Sequence, residues 1–394
     1  MNRIKDDAER KKSHDGVCCA GLVGMILMMS FGIVHAGETT RRKVAGPRTV
    51  LSLPPRPKNP RNSEGDFIRL QDGRVMFVYT HFVSGAGDHA GAYLAARFSD
   101  DGGRSWSSRD VVVVRNEGRW NVMSVSLLRL KTGRIALFYA RKNSLTDCRP
   151  YLRISTDEGQ TWSAPKLCIS DEVGYYVMNN DRAVQLTTGR LVLPVSLHNK
   201  PGDAKPDWNG RVMCYLSDDN GKSWRRSKDQ LIATGKSGRR LIAQEPGVVE
   251  LKDGRLMLFS RSNAGSQLVS FSADRGETWS SLSLSNIISP VSPATIERIP
   301  KTGDLILVWN DHRNISRKLR GKRTPYNVAI SQDDGRTWTH VKTLQDNPHG
   351  WYCYTAVEFV DGHVLLGHCA GDRRKNNGLA ETHITRFSLD WLYH

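Results

Sequence analysis

One eight-residue motif recurs along the chain, and its spacing constrains the fold more than any other feature. The motif is Ser-x-Asp-x-Gly-x-Ser/Thr-Trp, with copies that begin at Ser99, Ser155, Ser217, Ser272 and Ser331. In such a turn the aspartate can accept hydrogen bonds from backbone amides, the glycine can take a positive φ, and the tryptophan can pack over the hairpin. The repeat therefore predicts five similar units, each carrying the same structural turn.

A second repeated element is a turn glycine that is followed by a run of apolar residues. Its six copies centre on Gly73, Gly133, Gly189, Gly254, Gly303 and Gly362. Each copy indicates a tight turn between two strands, the second of which is buried on both faces. Together the two motifs predict an all-β fold, a six-bladed β-propeller with Asp-box hairpins. The last unit lacks the eight-residue motif, so we expect its outermost strand to come from residues 49–53.

The N-terminal segment has the pattern of an export signal. Residues 1–16 are polar and charged, residues 17–34 are almost wholly apolar, and small residues precede position 37. We therefore divide the chain into a signal peptide (1–36), a linker or ring-closing strand (37–58) and the propeller (59–394). The apolar run also has about the minimum length of a membrane span. We expect a secreted or periplasmic protein without stable membrane insertion, unless the signal stays uncleaved as an anchor.

The composition gives a formal net charge of +17, from 57 Lys and Arg against 40 Asp and Glu. Such a charge favours acidic partners, among them nucleic acids, anionic membranes and anionic sugars. The cations are spread along the whole chain, and no basic run is interleaved with aromatic residues. We therefore expect no nucleic acid partner, and a generally basic surface remains the alternative explanation of the charge.

The residues that begin the inner strands differ from one unit to the next. Nine positions before the six turn glycines stand Glu64, Ser124, Asn180, Glu245, Ala294 and Cys353. A purely structural repeat would conserve these positions among its units, whereas a binding site would vary them. The mostly polar set therefore predicts a site where the inner strands converge.

These features carry a family resemblance. The repeated turns, the six units and the segment EPGVVELKDGRLMLFSRS, which begins at Glu245, resemble the sialidase (neuraminidase) family. The similarity extends over nearly the whole chain that follows the signal. It implies an exported exo-glycosidase of retaining mechanism, which releases a terminal acidic sugar such as sialic acid from a glycan. The resemblance implies no metal and no organic cofactor.

The resemblance also implies roles for particular residues. Tyr352, with Tyr354 as the alternate, corresponds to the nucleophile, and Glu245 would polarise it. Asp88 corresponds to the acid/base, which would need a pKa raised by partial burial. Arg261 and Arg323 would grip the sugar carboxylate through charge-assisted hydrogen bonds. A neutral tyrosine suits an anionic sugar, because such a sugar would repel a carboxylate nucleophile.

One departure from the family pattern affects the substrate. The family places its first arginine in a Phe-Arg-Ile-Pro motif, where this chain has NSEGDF at positions 62–67, including Glu64. Arg61, or Arg182 together with Asp181, could contribute to substrate binding instead. Two alternatives stay open: a propeller hydrolase for another sugar, using Glu64, Asp88 and Asp181, or a non-catalytic carbohydrate-binding propeller.

Overall fold

The structure is a computed structural model, and it describes residues 45–394. The predicted signal peptide and the first part of segment 37–58 lie outside the described residues. The described elements, in chain order, are β1 (Arg48–Leu53), β2 (Arg61–Arg69), β3 (Val75–Phe82), β4 (Ala92–Ser99), β5 (Val111–Val114), β6 (Asn121–Arg129), β7 (Ile135–Ser144), β8 (Asp147–Ser155), β9 (Lys166–Leu167), β10 (Tyr175–Val177), β11 (Val184–Gln185), β12 (Leu191–Asn199), β13 (Arg211–Ser217), β14 (Arg225–Arg226), β15 (Gln244–Glu250), β16 (Leu256–Arg261), β17 (Ser266–Ser272), β18 (Ser283–Ile288), β19 (Thr295–Arg298), β20 (Leu305–Trp309), β21 (Tyr326–Ser331), β22 (Thr339–Gln345), β23 (Gly350–Val360), β24 (His363–Asp372), a 3-10 turn (Arg373–Lys375), β25 (Thr382–Ser388) and α1 (Leu389–Tyr393).

The strands form antiparallel meanders of the predicted kind. Three sheets contain four strands that follow one another in the chain, namely β2 to β5, β15 to β18 and β19 to β22. A nine-stranded sheet holds β6 to β14, in which β10 pairs in parallel with β8. The fold is therefore all-β, as predicted from the two repeats.

The apolar core lies between neighbouring sheets. Every residue of β3 and of β12 is buried, as expected for strands that are covered on both faces. One core cluster joins Ile68 and Val78 of the first sheet to Val122 and Ile135 of the next. The sheets thus pack face to face, and their inner strands lie close enough to share cavities.

The last sheet takes a strand from the start of the described chain. Its strand order is β1, β25, β24 and β23, and the β1–β25 register runs from Arg48↔Arg386 to Leu53↔Thr382. The sequence predicts an N-terminal strand at this outer edge. Of the helices within residues 45–394, none has the length and apolar character that a bilayer crossing requires.

The eight-residue motif forms the same turn in each of its five copies. In the first, Ser99 Oγ donates to Asp101 Oδ1 at 2.9 Å, and the backbone amide of Gly103 donates to Ser99 Oγ at 2.8 Å. Ser105 Oγ donates to the second carboxylate oxygen at 2.7 Å. The equivalent bonds occur in the other four turns. Each turn is therefore held by its own side chains and belongs to the structure rather than to a binding site.

Candidate active site

Four inner strands place a polar residue of unusual backbone conformation around one cavity. Glu64, Ser124, Glu245 and Tyr354 have φ values of 53°, 60°, 53° and 57°. Non-glycine residues rarely adopt this left-handed region, and backbone strain of this kind concentrates at functional sites. Each of the four lies at a β-bulge, which turns its side chain away from the regular alternation of the strand.

The cavity has a volume of about 180 Å³. Its polar lining includes the four bulge residues together with Asp88, Lys142, Asn179, His198, Gln244 and Arg261. Its apolar and aromatic lining includes Met123, Ala140, Tyr175 and Trp208. The volume suits a single sugar ring rather than an extended polymer.

Tyr354 and Glu245 pair a phenol with a carboxylate in the wall of this cavity. The Tyr354 hydroxyl donates to Glu245 Oε1 at 3.0 Å, and the two residues are 8% and 7% exposed. Burial, followed by the negative charge of Glu245, raises the pKa of Tyr354 well above its ordinary value. The phenol is therefore neutral at rest, and the carboxylate is placed to remove its proton during a reaction.

Tyr352, the residue expected as nucleophile, lies elsewhere. Its ring stacks on Tyr326 with a centroid distance of 5.6 Å inside a buried cluster, and it is absent from the lining of the cavity. The register of β23 shifts between Cys353 and Ala356, and the bulge turns Tyr354 inward instead. Tyr352 therefore lies outside the cavity in which it was expected, and the alternate Tyr354 lies inside it.

The two predicted arginines flank this pair. Arg261 Nη1 lies 3.1 Å from Glu245 Oε2, and its Nε donates to Gln244 Oε1 at 3.1 Å. The guanidinium carbon of Arg323 lies 5.3 Å from the centroid of the Tyr354 ring. Arg261 lines the cavity directly, whereas Arg323 stands behind the tyrosine.

Asp88 and Glu64 are joined through Arg61. Arg61 is 1% exposed and donates from Nη1 to Asp88 Oδ1 at 2.6 Å and from Nη2 to Glu64 Oε1 at 3.1 Å. Burial acts to raise the pKa of Asp88, but the positive charge of Arg61 and its hydrogen bond lower it below the ordinary value. The raised pKa expected for an acid/base Asp88 is therefore wrong in direction, because its neighbour is a guanidinium.

Lys142 lines the cavity but is not among the residues predicted from the sequence. It is buried at the end of β7, and its Nζ donates to the main-chain oxygen of Asp88 at 2.9 Å. Nζ also lies 5.3 Å from the centroid of the Tyr175 ring. The repeat could have indicated this position, because Lys142 and His198 both stand nine positions after a turn glycine. That is two positions beyond Ala140 and Ser196, and side chains two residues apart share one face of a strand.

Asp181 and Arg182 do not reach this cavity. They line a second cavity of about 700 Å³, which is formed further along the same inner strands and also contains Asp66, Glu297 and Glu358. Arg182 Nη2 donates to the main-chain oxygen of Ala294 at 2.8 Å, and Asp181 Oδ2 accepts from the backbone amide of Val357 at 3.1 Å. Both residues also tie neighbouring inner strands together, and their expected part in substrate binding stays a prediction.

Comparison with known proteins shows the family of this chain. The family described as the BNR repeat-like domain matches residues 88–365. The chain belongs to the sialidase/BNR superfamily. The matched range contains Asp88, Glu245 and Tyr354, whereas Arg61 and Glu64 lie before its first residue.

Individual relatives of this sialidase-superfamily protein are distant. A sialidase of Paraclostridium sordellii is 25% identical over 324 residues, which are 72% of this chain and 75% of that protein. A sialidase of Micromonospora viridifaciens is 25% identical over 350 residues, which are 80% of this chain and 50% of that protein. Among solved structures, the leech intramolecular trans-sialidase superposes with a TM-score of 0.67 at 16% identity, covering 89% of this chain and 71% of that one. These relatives are named as sialidases, and the structural likeness extends to the fold.

Proposed function

We propose that this protein is an exported retaining exo-glycosidase that releases a terminal acidic sugar, such as sialic acid, from glycans. The hydrogen bond of 3.0 Å from the Tyr354 hydroxyl to Glu245 carries the proposal. It pairs a neutral nucleophile with a base in a cavity that fits one sugar ring. The relatives named as sialidases support the same class of reaction.

The reaction proceeds in two displacements. In the first, the Tyr354 oxygen attacks the anomeric carbon, Glu245 takes the phenolic proton, and the bond to the glycosidic oxygen breaks. The departing oxygen receives a proton from a general acid of the site, and a covalent glycosyl–tyrosine remains. In the second, the conjugate base of that general acid takes a proton from water as the water oxygen attacks the anomeric carbon, the tyrosine oxygen leaves, and Glu245 returns its proton to it. Two inversions retain the configuration of the sugar.

The cations of the cavity explain the preference for an acidic sugar. Arg261 and Arg323 lie on either side of the tyrosine–glutamate pair, and a planar guanidinium binds a carboxylate through paired charge-assisted hydrogen bonds. Lys142 supplies a further positive charge near the first-unit residues, where the family's first arginine is missing. A sugar carboxylate in the cavity is therefore drawn toward Arg261 and Lys142, while Arg323 adds positive charge from behind the Tyr354 ring, and neutral sugars gain less from these cations.

Three further features belong to the proposal. The four-stranded sheets and the six turn glycines support a propeller of six blades, with β1 completing the last one. Residues 1–36 act as a signal peptide, which places the mature enzyme outside the cytoplasm or in the periplasm. The partner is a glycan with a terminal acidic sugar, and nucleic acid is not a partner.

The test is a panel of 4-methylumbelliferyl glycosides that includes the sialoside and several uronic acid glycosides. We expect hydrolysis of an acidic member by the wild type, and a loss of kcat of about 10²–10⁴-fold in Glu245→Gln. Tyr354→Phe should lose activity to a similar or greater extent. Tyr352→Phe is the matched control, because it removes the same hydroxyl two residues away and outside the cavity, and it should keep wild-type kcat.

The results separate the alternatives. Turnover of a neutral glycoside alone would select a hydrolase for another sugar, and glycan binding without any turnover would select the non-catalytic propeller. Equal activity of Tyr354→Phe and wild type would contradict the tyrosine mechanism. A second readout is mass spectrometry of the enzyme quenched with an activated fluoro-glycoside, which should carry one sugar on the peptide that contains Tyr354.

A further inference from the structure

Two carboxyl groups bracket the Arg61 guanidinium, and their surroundings differ. Asp88 stands on the loop between β3 and β4, with an oxygen 2.6 Å from Arg61 Nη1. Its main-chain oxygen accepts from Lys142 Nζ at 2.9 Å and from Asn121 Nδ2 at 3.0 Å. The Asp88 side chain is 56% exposed, and the charge and hydrogen bond of Arg61 lower the pKa of its carboxyl, which favours the charged form.

Glu64 is buried in the wall of the same cavity. It is 6% exposed, and its Oε2 accepts from Ser124 Oγ at 2.6 Å. Its other oxygen is 3.1 Å from Arg61, which it shares with Asp88, so one guanidinium serves two carboxyl groups. Burial raises the pKa of Glu64, and the negative charges of Asp88 and Glu245 add to the rise against the opposing effect of Arg61.

The backbone at Glu64 repeats the backbone at Glu245. Both residues occupy a bulge with a φ of 53°, nine positions before the turn glycine of their own unit. Glu245 uses this conformation to reach Tyr354, and Glu64 uses it to enter the cavity from the first sheet. The glycine that follows, Gly65, leaves no space for a side chain, because a Cβ there would lie 2.4 Å from the Phe77 ring. The strand is thus built to present Glu64 at this point.

We propose that Glu64, rather than Asp88, protonates the departing glycosidic oxygen, and that Asp88 and Arg61 are positioning residues. The proposal rests on the proposed function, since it assigns the general acid of that reaction. Two carboxyl groups whose surroundings favour opposite protonation states divide the roles of acid and charged partner in this way.

The proton balance is complete within the cavity. In the first displacement the Glu64 O–H proton passes to the glycosidic oxygen as the C–O bond breaks, while Glu245 takes the proton of Tyr354. In the second, the Glu64 carboxylate removes a proton from the attacking water. The tyrosine oxygen recovers its proton from Glu245. Both glutamates return to their starting forms, and no co-reactant other than water is needed.

Charged and titratable groups face Glu64 from several elements, including the Cys148 thiol of β8. Arg61 comes from the same strand, Asp88 from the β3–β4 loop and Glu245 from β15, and Ser124 of β6 supplies the neutral hydrogen bond. Lys142 approaches from β7 through the main chain of Asp88. Activity should therefore fall at high pH as Glu64 loses its proton. This alkaline limb should move to higher pH in Ser124→Ala, because the hydroxyl lowers the pKa of Glu64.

The decisive experiment compares leaving groups. For Glu64→Gln we expect kcat/KM for an alkyl glycoside to fall by about 10²–10⁴-fold. The fall should be much smaller for a glycosyl fluoride, whose leaving group needs no proton. The same variant should accumulate the sugar on Tyr354, because the base of the second step is also missing. Asp88→Asn is the matched control. It should lower kcat/KM for both substrates by a similar factor and leave the ratio of the two values unchanged.

Each outcome decides the assignment. A leaving-group-dependent loss in Asp88→Asn, with an unchanged ratio in Glu64→Gln, would overturn it and make Asp88 the acid. Absence of hydrolysis and of a Tyr354 adduct in the wild type would refute the proposed function instead, and the assignment would fall with it. If Glu64→Gln fails to fold, as judged by its thermal unfolding midpoint, the pH profile of Ser124→Ala decides: an unmoved alkaline limb contradicts the assignment.

Discussion

Replacing Glu358 with glutamine changes the charge of the larger cavity while keeping the side-chain shape. Glu358 is partly buried there, and its Oε1 accepts from the backbone amide of Phe359 at 2.9 Å. Burial raises its pKa from 4.5 to about 7, and the neighbouring charge of Asp181 adds to the rise. The folded protein therefore binds a proton at this residue over a pH range in which the unfolded chain has lost it.

The magnitude follows from that difference. A shift of one pH unit corresponds to about 1.4 kcal/mol, so a rise from 4.5 to about 7 amounts to about 3 kcal/mol. Glu358 keeps some contact with solvent, which reduces the expected value to about 2 kcal/mol. Because the folded-state pKa is raised, this contribution is fully present below pH 4.5. It is lost as the pH rises toward 7.

The assay is urea unfolding of wild type and Glu358→Gln at pH 5, 6, 7 and 8. The free energy of unfolding of the variant, relative to wild type, should increase by about 2 kcal/mol across this range. Glu158→Gln is the control. The hydrogen bonds from Arg129 lower the pKa of Glu158, so the stability that its charged form contributes is lost only at pH values below this range. The difference in free energy of unfolding between Glu158→Gln and wild type should therefore stay constant from pH 5 to 8. If the free energy of unfolding depends on pH in the same way in Glu358→Gln and in wild type, the reasoning is refuted.

Three further substitutions test other parts of the structure. Arg182→Met should lower the free energy of unfolding by about 3–5 kcal/mol, measured in urea, and leave kcat of the folded fraction unchanged, because it removes the hydrogen bond to the Ala294 oxygen and the buried positive charge beside Asp181. Gly247→Ala should cost about 1–3 kcal/mol in the same assay, since its Cβ would lie 2.3 Å from the Phe259 ring. Asp219→Ala removes the bonds that Ser223 donates from its backbone and hydroxyl, and should lower the thermal midpoint by about 2–4 °C. An unchanged midpoint or an unchanged unfolding curve would contradict the corresponding reasoning.

The local part of the site could be predicted from the sequence. Glu245 and Arg261 lie on the two strands of one hairpin, so the spacing of the turn fixes how they meet, and the structure brings them to 3.1 Å. The repeated turns were predictable for the same reason, since each is closed by residues within eight positions. Short-range geometry of this kind follows from residue type and spacing alone.

The remaining part depends on features that counting residues does not reveal. In β23 the bulge residue Tyr354 stands eight positions before the turn glycine, whereas Glu64 and Glu245 stand nine positions before theirs. Aligning the units on their turn glycines therefore did not identify Tyr354 as the inward-facing tyrosine, and Tyr352 was expected instead. The low pKa of Asp88 depends on Arg61, which reaches it across a loop. The sequence also did not reveal that the Arg182 side chain donates a hydrogen bond to the main-chain oxygen of Ala294 and lines the second cavity.

The pairing of β1 with β25 determines when the last sheet can acquire all four of its strands. Of the strands within residues 45–394, the first in chain order pairs with the last, so the outer edge of the final sheet stays open until β25 has been synthesised. Long-range strand pairing is slow because distant segments must meet before any contact stabilises them. This pairing therefore forms late in folding, after β25 has been synthesised.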